Sequence, residues 1–253
     1  TAPDVADLIY GTNQVDLLTG SAADEMFLVS AGADTIQGGA GFDCIVLTGA
    51  TGAVRVNLGS LGQNTNIAAG QTYLSIEGII GSGYSDNLTG NAEANIIEGR
   101  DGNDKLGGAG GSDSLYGGNG NDTLVGGIGA DVLDGGAGRD RVSYRESTTG
   151  LVVDLADPTR NTGEAAGDSY LDIEELEGSG RNDMLGGDAG ANIIYGLDGN
   201  DWIEGRLGND SLFGGEGSDT LIGGEGIDRL DGGNGIDFVS YETATTALRI
   251  DLM

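Results

Sequence analysis

Large apolar residues recur every nine positions over most of this chain, and each stands two residues after an acidic or amide residue. Glycine-rich turn residues fill most of the space between them. This pattern predicts very short strands alternating with tight turns, because glycine reaches the positive φ angles of turns while one aliphatic side chain anchors each strand. The recurring apolar residues are Ile9, Leu18, Phe27, Ile36, Ile45, Leu88, Ile97, Leu106, Leu115, Leu124, Leu133, Val142, Leu185, Ile194, Ile203, Leu212, Leu221, Leu230 and Val239.

The nine-residue units form three blocks with longer segments between them. There are 19 units, which cover 171 of the 253 residues. The predicted organisation is a degenerate block over 1–46, a spacer over 47–80, a block over 81–143, a spacer over 144–177, a block over 178–240 and the start of a third spacer over 241–253. Both spacers contain strand-like segments, at 54–58 and 75–79 and again at 151–155 and 172–176, and we expect them to widen the coils or project as side loops.

Regular alternation of turn and short strand is typical of a parallel solenoid. With two units in each coil, residues eighteen apart stack at roughly 4.8 Å, the strand spacing of a β-sheet. The apolar residues then fill a narrow interior, and the acidic residues of alternate units form two ladders on opposite edges. The sequence therefore predicts an all-β fold, a parallel β-roll or β-helix solenoid.

The formal net charge is −30, from 41 acidic and 11 basic residues. Nucleic acids and anionic membrane surfaces are repelled by such a charge, and no apolar run is long enough for a membrane span, so neither partner is expected. Histidine is absent, which removes the most common general base and zinc ligand. Cys44 is the lone cysteine and is expected to face outward next to the inward Ile45. We predict no catalytic residues in the chain.

Carboxylates stacked at the strand spacing repel one another, by about 1 kcal/mol per pair in water and several times that at an intermediate dielectric. A divalent cation that prefers oxygen ligands reverses this effect, and glycine-rich turns offer backbone carbonyls beside each carboxylate. Calcium accepts about six to eight oxygens in loose geometry, whereas magnesium requires a tight octahedron, so calcium is the expected ion. Nine pairs of aspartates lie eighteen residues apart, at 16/34, 86/104, 104/122, 122/140, 113/131, 183/201, 201/219, 219/237 and 210/228.

The best copies of the unit are GGNGNDTLV at 117–125, GGEGSDTLI at 214–222 and GGNGIDFVS at 232–240. They fit the pattern G-G-x-G-x-D-x-U-x and resemble the nonapeptide of the RTX (repeats-in-toxin), haemolysin-type calcium-binding proteins. The resemblance implies a right-handed parallel β-roll with multiple calcium ions, and the nine pairs predict nine well-formed sites with weaker ones besides. It also implies folding on calcium outside the bacterial cell, after export by a type I secretion system, at an extracellular or cell-surface location.

The resemblance further implies that the acidic residue at position six of each unit and the turn carbonyls are calcium ligands. The carboxylate ligands are then Asp16, Asp34, Asp86, Asp104, Asp113, Asp122, Asp131, Asp140, Asp183, Asp201, Asp210, Asp219, Asp228 and Asp237. The carbonyl ligands belong to turn residues such as Gly117, Asn119, Gly120, Gly126, Ile128, Gly129, Gly214, Glu216, Gly217, Gly223, Glu225 and Gly226. The weaker candidates, where the acid is replaced or glycines are missing nearby, are Asp7, Glu25, Asp43, Asn95 and Asn192.

The leading interpretation is a calcium-binding structural module of a secreted bacterial protein. The alternatives are an accessory C-terminal region of a secreted protease, lipase or alginate-modifying enzyme, and an adhesin or carbohydrate-binding array. Exposed aromatic residues such as Trp202, Tyr116 and Tyr195 would serve the last of these, by binding a surface glycan or by self-association. Glu77 and Glu174, shared by both spacers, are interpreted as solvated or turn-capping residues, with an extra calcium ligand as the second interpretation.

Overall fold

The computed structural model of the chain describes residues 8–241. By its backbone contacts the chain divides into two compact units, Thr1–Asp140 and Arg141–Met253. Both are built from strands of three to seven residues joined by tight turns.

The first unit contains fourteen of the described strands and two short 3-10 helices. The strands are β1 (Leu8–Tyr10), β2 (Leu17–Thr19), β3 (Met26–Leu28), β4 (Thr35–Gln37), β5 (Cys44–Val46), β6 (Arg55–Asn57), β7 (Thr72–Leu74), β8 (Gly78–Ile80), β9 (Asn87–Thr89), β10 (Ile96–Asp101), β11 (Lys105–Gly110), β12 (Ser114–Gly120), β13 (Thr123–Ile128) and β14 (Val132–Gly138). The helices are Leu61–Gln63 and Asn66–Ala68, both in the first spacer.

The second unit contains eleven of the described strands and two further 3-10 helices. The strands are β15 (Arg141–Ser143), β16 (Val152–Asp154), β17 (Ser169–Leu171), β18 (Glu175–Glu177), β19 (Met184–Gly186), β20 (Ile193–Asp198), β21 (Trp202–Leu207), β22 (Ser211–Glu216), β23 (Thr220–Glu225), β24 (Arg229–Asn234) and β25 (Phe238–Ser240). The helices are Pro158–Arg160 and Gly163–Ala165, both in the second spacer.

Pairing is parallel and joins alternate strands within the repeat blocks, whereas pairs across a spacer skip two strands. In the first unit the sheet orders are β1-β3-β5-β8-β10-β12-β14, β6-β9-β11-β13 and β2-β4-β7, and in the second they are β15-β18-β20-β22-β24 and β16-β19-β21-β23-β25. Leu115 lies beside Ile97 on one side and Leu133 on the other, so residues eighteen apart are in register. Within each unit the parallel strands stack as a β-solenoid, which confirms the predicted all-β parallel roll.

The interior is a column of the position-eight side chains, as the period predicts. Most of these side chains are fully buried, for example Leu115 and Leu124 in the first unit and Ile194 and Leu212 in the second. Ile9, Leu18, Leu230 and Val239, near the two ends of the described chain, are only half-buried. The described nine-residue units therefore each contribute one large apolar side chain to a narrow core.

The spacers continue the strand stack within wider coils. In the first spacer, Ile79 of β8 pairs with Ile45 of β5, an offset of 34 residues instead of eighteen. In the second, Leu176 of β18 pairs with Val142 of β15 at the same offset. The extra residues form a side loop that holds the 3-10 helices, while the paired strands keep the column of buried apolar residues.

Cys44 contradicts the expectation that it faces outward, because it is only 5% exposed. The spacer strand β8 places Gly78 beside it, and a Cβ atom on Gly78 would lie 2.2 Å from the Cys44 Sγ atom. The thiol therefore fills space that the missing glycine side chain leaves open. Burial raises the pKa of the Cys44 thiol to about 12, so the side chain is a neutral part of the packing.

The outer face carries the predicted exposed aromatic residues Trp202 and Tyr116. Tyr195 instead stacks on Phe213, one coil away, with ring centroids 5.1 Å apart. No helix within residues 8–241 has the length and apolar character needed to cross a membrane.

Candidate metal centre

Each nine-residue unit brings its position-six side chain to the end of the turn, two residues before the buried residue of position eight. Most of these side chains are acidic, and most of them are nevertheless shielded from solvent. Asp104, Asp122, Asp201 and Asp219 are each at most 3% exposed. A buried carboxylate is unfavourable unless hydrogen-bond donors or a cation compensate for its lost hydration, so the partners of these groups decide what the turns can do.

One oxygen of each carboxylate is used in a ladder between coils. The Oδ1 atom of Asp122 accepts the backbone N–H of Asp104 at 2.7 Å, and the Oδ1 atom of Asp140 accepts that of Asp122 at 2.7 Å. The same bond runs from the backbone of residues 16, 25, 86, 95, 113, 183, 192, 201, 210 and 219 to the Oδ1 atom eighteen residues later. Residues eighteen apart are therefore neighbours along each edge, and residues nine apart are not.

The second oxygen has no such partner in many of the turns. Several Oδ2 atoms are buried and meet no hydrogen-bond donor from the described residues, namely those of Asp43, Asp104, Asp113, Asp122, Asp201, Asp210 and Asp219. A buried acceptor without a donor costs about 1–3 kcal/mol, and a charged one costs more. Buried negative charge without a compensating donor therefore recurs in the turns along both edges.

These unpartnered oxygens face other acceptors. A Cβ atom on Gly99 would lie 2.4 Å from Asp104 Oδ2 and 2.6 Å from the carbonyl oxygen of Gly117, one coil further on, so both oxygens approach the same point. The arrangement recurs at Gly108 with Asp113 and Gly126, at Gly196 with Asp201 and Gly214, at Gly205 with Asp210 and Gly223, and at Gly214 with Asp219 and Gly232. Because neither oxygen can donate a hydrogen bond, a cation is the natural partner for both.

The pKa values of the carboxyl groups reflect this environment. Burial raises the pKa of Asp104 and of Asp201 to about 7, and the charges of neighbouring aspartates reinforce the shift. Burial likewise raises the pKa of Asp43, Asp113 and Asp210 to about 6. The protein without metal therefore disfavours the charged form that a cation would need.

Stacked, buried carboxylates that face turn carbonyls form a set of hard oxygen ligands, the kind that calcium prefers. The profile of the RTX calcium-binding nonapeptide repeat matches residues 28–46, 80–115, 107–142, 177–212 and 204–239, more than half of the chain. The chain belongs to this family. The donor set agrees with the calcium binding of RTX repeats, and a comparison with curated proteins gives no match.

The RTX turns of this chain are of two kinds, and the first kind satisfies its own position-six side chain. The Ser82 N–H donates to Asp86 Oδ2 at 2.7 Å, and the Ser82 hydroxyl adds a further bond. Ser179 does the same for Asp183 at 2.6 Å. Similar bonds from position two run from Thr12 to Asp16, Ser21 to Glu25, Asn91 to Asn95 and Asp188 to Asn192. These self-capped turns lie near the start of each block, and both asparagines at position six belong to them.

In most of the turns that follow, though not in that of Asp34 with Ser30 at position two, this position adopts a left-handed backbone instead. Arg100, Ala109, Leu197 and Arg206 have φ angles of 84°, 79°, 81° and 80°. Left-handed φ costs a residue with a side chain about 1–2 kcal/mol. These are the turns of Asp104, Asp113, Asp201 and Asp210, whose Oδ2 atoms lack a donor among the described residues. The strained turn thus gives up the internal donor of the self-capped turn.

The structure places the predicted carbonyl ligands in different settings. At position one, the oxygens of Gly117, Gly126, Gly214 and Gly223 approach the Oδ2 atoms of the preceding coil, as described above. At position three, the oxygens of Asn119, Ile128, Glu216 and Glu225 accept the N–H groups of Gly102, Gly111, Gly199 and Gly208 at 2.8–3.0 Å, as part of the backbone ladder. At position four, the oxygens of Gly120 and Gly217 point at glycines of the next coil, Gly138 and Gly235.

Sequence reasoning missed the role of position five. The Oδ1 atom of Asn103 accepts the N–H of Asn121 at 2.9 Å, and Asn121 in turn accepts the N–H of Arg139 at 3.0 Å. Asn182, Asn200 and Asn209 make the same contact in the second unit. The repeated asparagine immediately before the position-six acid was the signal that could have revealed this second ladder.

No three His, Cys, Asp or Glu side chains converge on one point within residues 8–241. Backbone oxygens would therefore complete any cation site, in keeping with the carbonyls that surround the turns. Glu77 acts as a turn-capping residue, since its Oε2 atom accepts the Asp43 N–H at 2.9 Å. Asp7 lies outside the described residues.

Proposed function

We propose that this RTX region is a calcium-dependent structural module of a secreted bacterial protein, unfolded where calcium is scarce and folded where it is abundant. The observation that supports this best is the row of buried Oδ2 atoms that face carbonyl oxygens and meet no donor within the described chain. Without a cation, folding brings these charges together at a net charge of −30. With calcium, the same contacts become favourable.

The ions are assigned to the turns with an unpartnered Oδ2 atom. There the position-six carboxylate and nearby backbone carbonyls would hold calcium, which supplies the positive charge that the turn lacks. The self-capped turns of Asp86, Asn95, Asp183 and Asn192 already have donors, and their backbone N–H groups bind the Oδ1 atoms of the coil above. The number of ions is then set by the turns after the first coil of each block.

Secretion is supported by the physical character of the chain. A chain without disulfides and with strong self-repulsion stays extended without calcium, which suits passage through a type I secretion channel. Extracellular calcium modules have dissociation constants of about 10⁻⁴–10⁻³ M. Calcium at comparable concentrations outside the cell would then drive folding.

The test is far-UV circular dichroism of the whole chain in EGTA, in about 5 mM calcium and in about 5 mM magnesium, concentrations above the affinity range of extracellular calcium modules. We expect a disordered spectrum in EGTA, a β spectrum in calcium and little recovery in magnesium. Identical spectra in EGTA and calcium would refute the proposed function. Full recovery in magnesium would refute the choice of ion.

A further inference from the structure

Gln71 reaches from the first spacer into the turn that carries Asp34. The side chain is only 1% exposed. Its Nε2 atom lies 3.0 Å from the carbonyl oxygen of Ser30, 3.2 Å from that of Gly32 and 3.2 Å from Asp34 Oδ2. A fourth oxygen, the carbonyl of Ile67, lies 3.1 Å away.

All four neighbours of the Gln71 Nε2 atom are hydrogen-bond acceptors. The nitrogen end of the amide must therefore point into the turn, since the oxygen end would meet only repulsion. Ser30, Gly32 and Asp34 are positions two, four and six of a single repeat unit. Their oxygens converge on one point, and in this turn an electropositive NH₂ group occupies that point.

The strand register explains how a spacer residue comes to this place. Thr72 of β7 pairs with Thr35 of β4, so Gln71 stands directly above Asp34, where a regular coil would have its next position-six carboxylate. In a regular ladder that residue would accept the N–H of the turn below through its oxygen. Here the amide is turned the other way, and its Oε1 atom is buried with no donor within the described residues.

We propose that Gln71 is a built-in substitute for calcium in the turn of Asp34, so that this turn closes in the folded chain without an ion. The inference rests on the proposed function, because it states which position-six aspartate the ion does not need. Asp16, the partner of Asp34 in the ladder, is also satisfied without metal, by the Thr12 N–H and hydroxyl. The 16/34 pair then holds no calcium, whereas Asp43 in the following turn keeps an unpartnered Oδ2 atom.

The experiment is equilibrium dialysis against calcium, with the bound metal measured by atomic emission, on the parent chain and matched variants. Asp34→Asn is expected to bind as many ions as the parent, and Asp122→Asn is expected to bind fewer. Gln71→Glu has the same size as the parent residue but places a carboxylate opposite Asp34, and it is expected to bind one ion more than the parent. Gln63→Glu, at an exposed residue of the same spacer, adds the same charge and is expected to bind the parental number.

The outcomes distinguish failure of the proposed function from failure of the role assigned to Gln71. If the parent binds no calcium, the proposed function fails. If the parent binds calcium and Asp34→Asn loses an ion as Asp122→Asn does, the inference about Gln71 fails alone. Equal stoichiometry of Gln71→Glu and Gln63→Glu would also overturn it, because a carboxylate among three oxygens of a true cation site has to recruit an ion.

Discussion

Asp104→Asn should change the stability of the fold in opposite directions with and without calcium. In the metal-free chain the Asp104 carboxylate is buried and its Oδ2 atom faces the Gly117 carbonyl. Removing its charge relieves both the burial cost and the repulsion from Asp86 and Asp122. In the calcium-loaded chain the same change removes a charged ligand. Asp86→Asn is the matched control, because the Asp86 carboxylate already accepts bonds from Ser82.

The magnitude follows from the raised pKa of Asp104. Burial raises this pKa from 3.8 to about 7. The hydrogen bond from the Asp86 N–H opposes the shift, and the charges of Asp122 and Asp86 reinforce it. One pKa unit corresponds to about 1.36 kcal/mol of free energy, so the whole change corresponds to about 4 kcal/mol. Because solvent near the turn screens the charge, we expect Asp104→Asn to gain about 2 kcal/mol of folding stability without calcium. With calcium at about 100 times its dissociation constant, loss of one ion costs about 2.7 kcal/mol.

Two measurements check the sign change. In EDTA at a pH above 7, folding is induced with an excluded osmolyte and followed by far-UV circular dichroism, and Asp104→Asn should fold at a lower osmolyte concentration than the parent. In calcium, urea unfolding should show Asp104→Asn to be less stable. Asp86→Asn should be destabilised by about 1–2 kcal/mol in both conditions, since an amide replaces an oxygen that accepts two donors. Destabilisation of Asp104→Asn in both conditions would refute the reasoning.

Three further predictions concern the turns and the second spacer. Gly120→Ala should destabilise the calcium-loaded fold by more than about 3 kcal/mol in urea unfolding, since its Cβ would lie 1.6 Å from a backbone oxygen at a φ of 137°. The control is Gly107→Ala, whose Cβ would meet nothing nearer than 3.6 Å. Its free energy of unfolding should differ from that of the parent by less than about 1 kcal/mol. Asp154→Asn should cost about 2–3 kcal/mol at neutral pH, because the buried carboxylate binds the Arg206 guanidinium. Burial alone would raise the Asp154 pKa, but the hydrogen bonds and charge of Arg206 lower it below 3.8, so this stability is present above that pH and the difference from the parent should vanish as the pH falls through the lowered value. In EDTA, carboxyls with a raised pKa, such as Asp104, contribute most to folding below 3.8 and less as the pH rises through about 7. Acidification from neutral pH should therefore increase the β signal, and an unchanged spectrum would contradict this.

The fold was largely predictable because its determinants are local and repeated. One apolar residue in nine, together with glycine turns, specifies the strand length, the parallel stack and the offset of eighteen that Leu115 shows with its neighbours. The outward placement of Cys44 was wrong because it depends on a single long-range pairing with Gly78 in the spacer. The period carries no information about how a spacer strand joins the stack.

The candidate site was predictable only in part. Position six was identified because its carboxylates repeat, but the division into two kinds of turn was not. Ser82 and Ser179, at position two, cap their own turns and are visible in the sequence, but Ser30 at the same position of the Asp34 turn donates to the Thr12 carbonyl instead. The role of Gln71 was not visible, because it depends on the pairing of β7 with β4, which places two residues 37 apart in sequence on neighbouring coils.

The two kinds of turn give calcium a definite place in folding. A self-capped turn such as that of Asp86 contains its own donors, and its backbone N–H already binds the Oδ1 atom of Asp104 in the coil above. The Asp104 turn, by contrast, combines a strained φ at Arg100 with a buried Oδ2 atom that meets no donor among the described residues. We therefore expect its folding to be unfavourable without an ion. We infer that the first coil of a block can fold without calcium and offer its strands for pairing with the next coil. Calcium then determines how many further coils fold onto it.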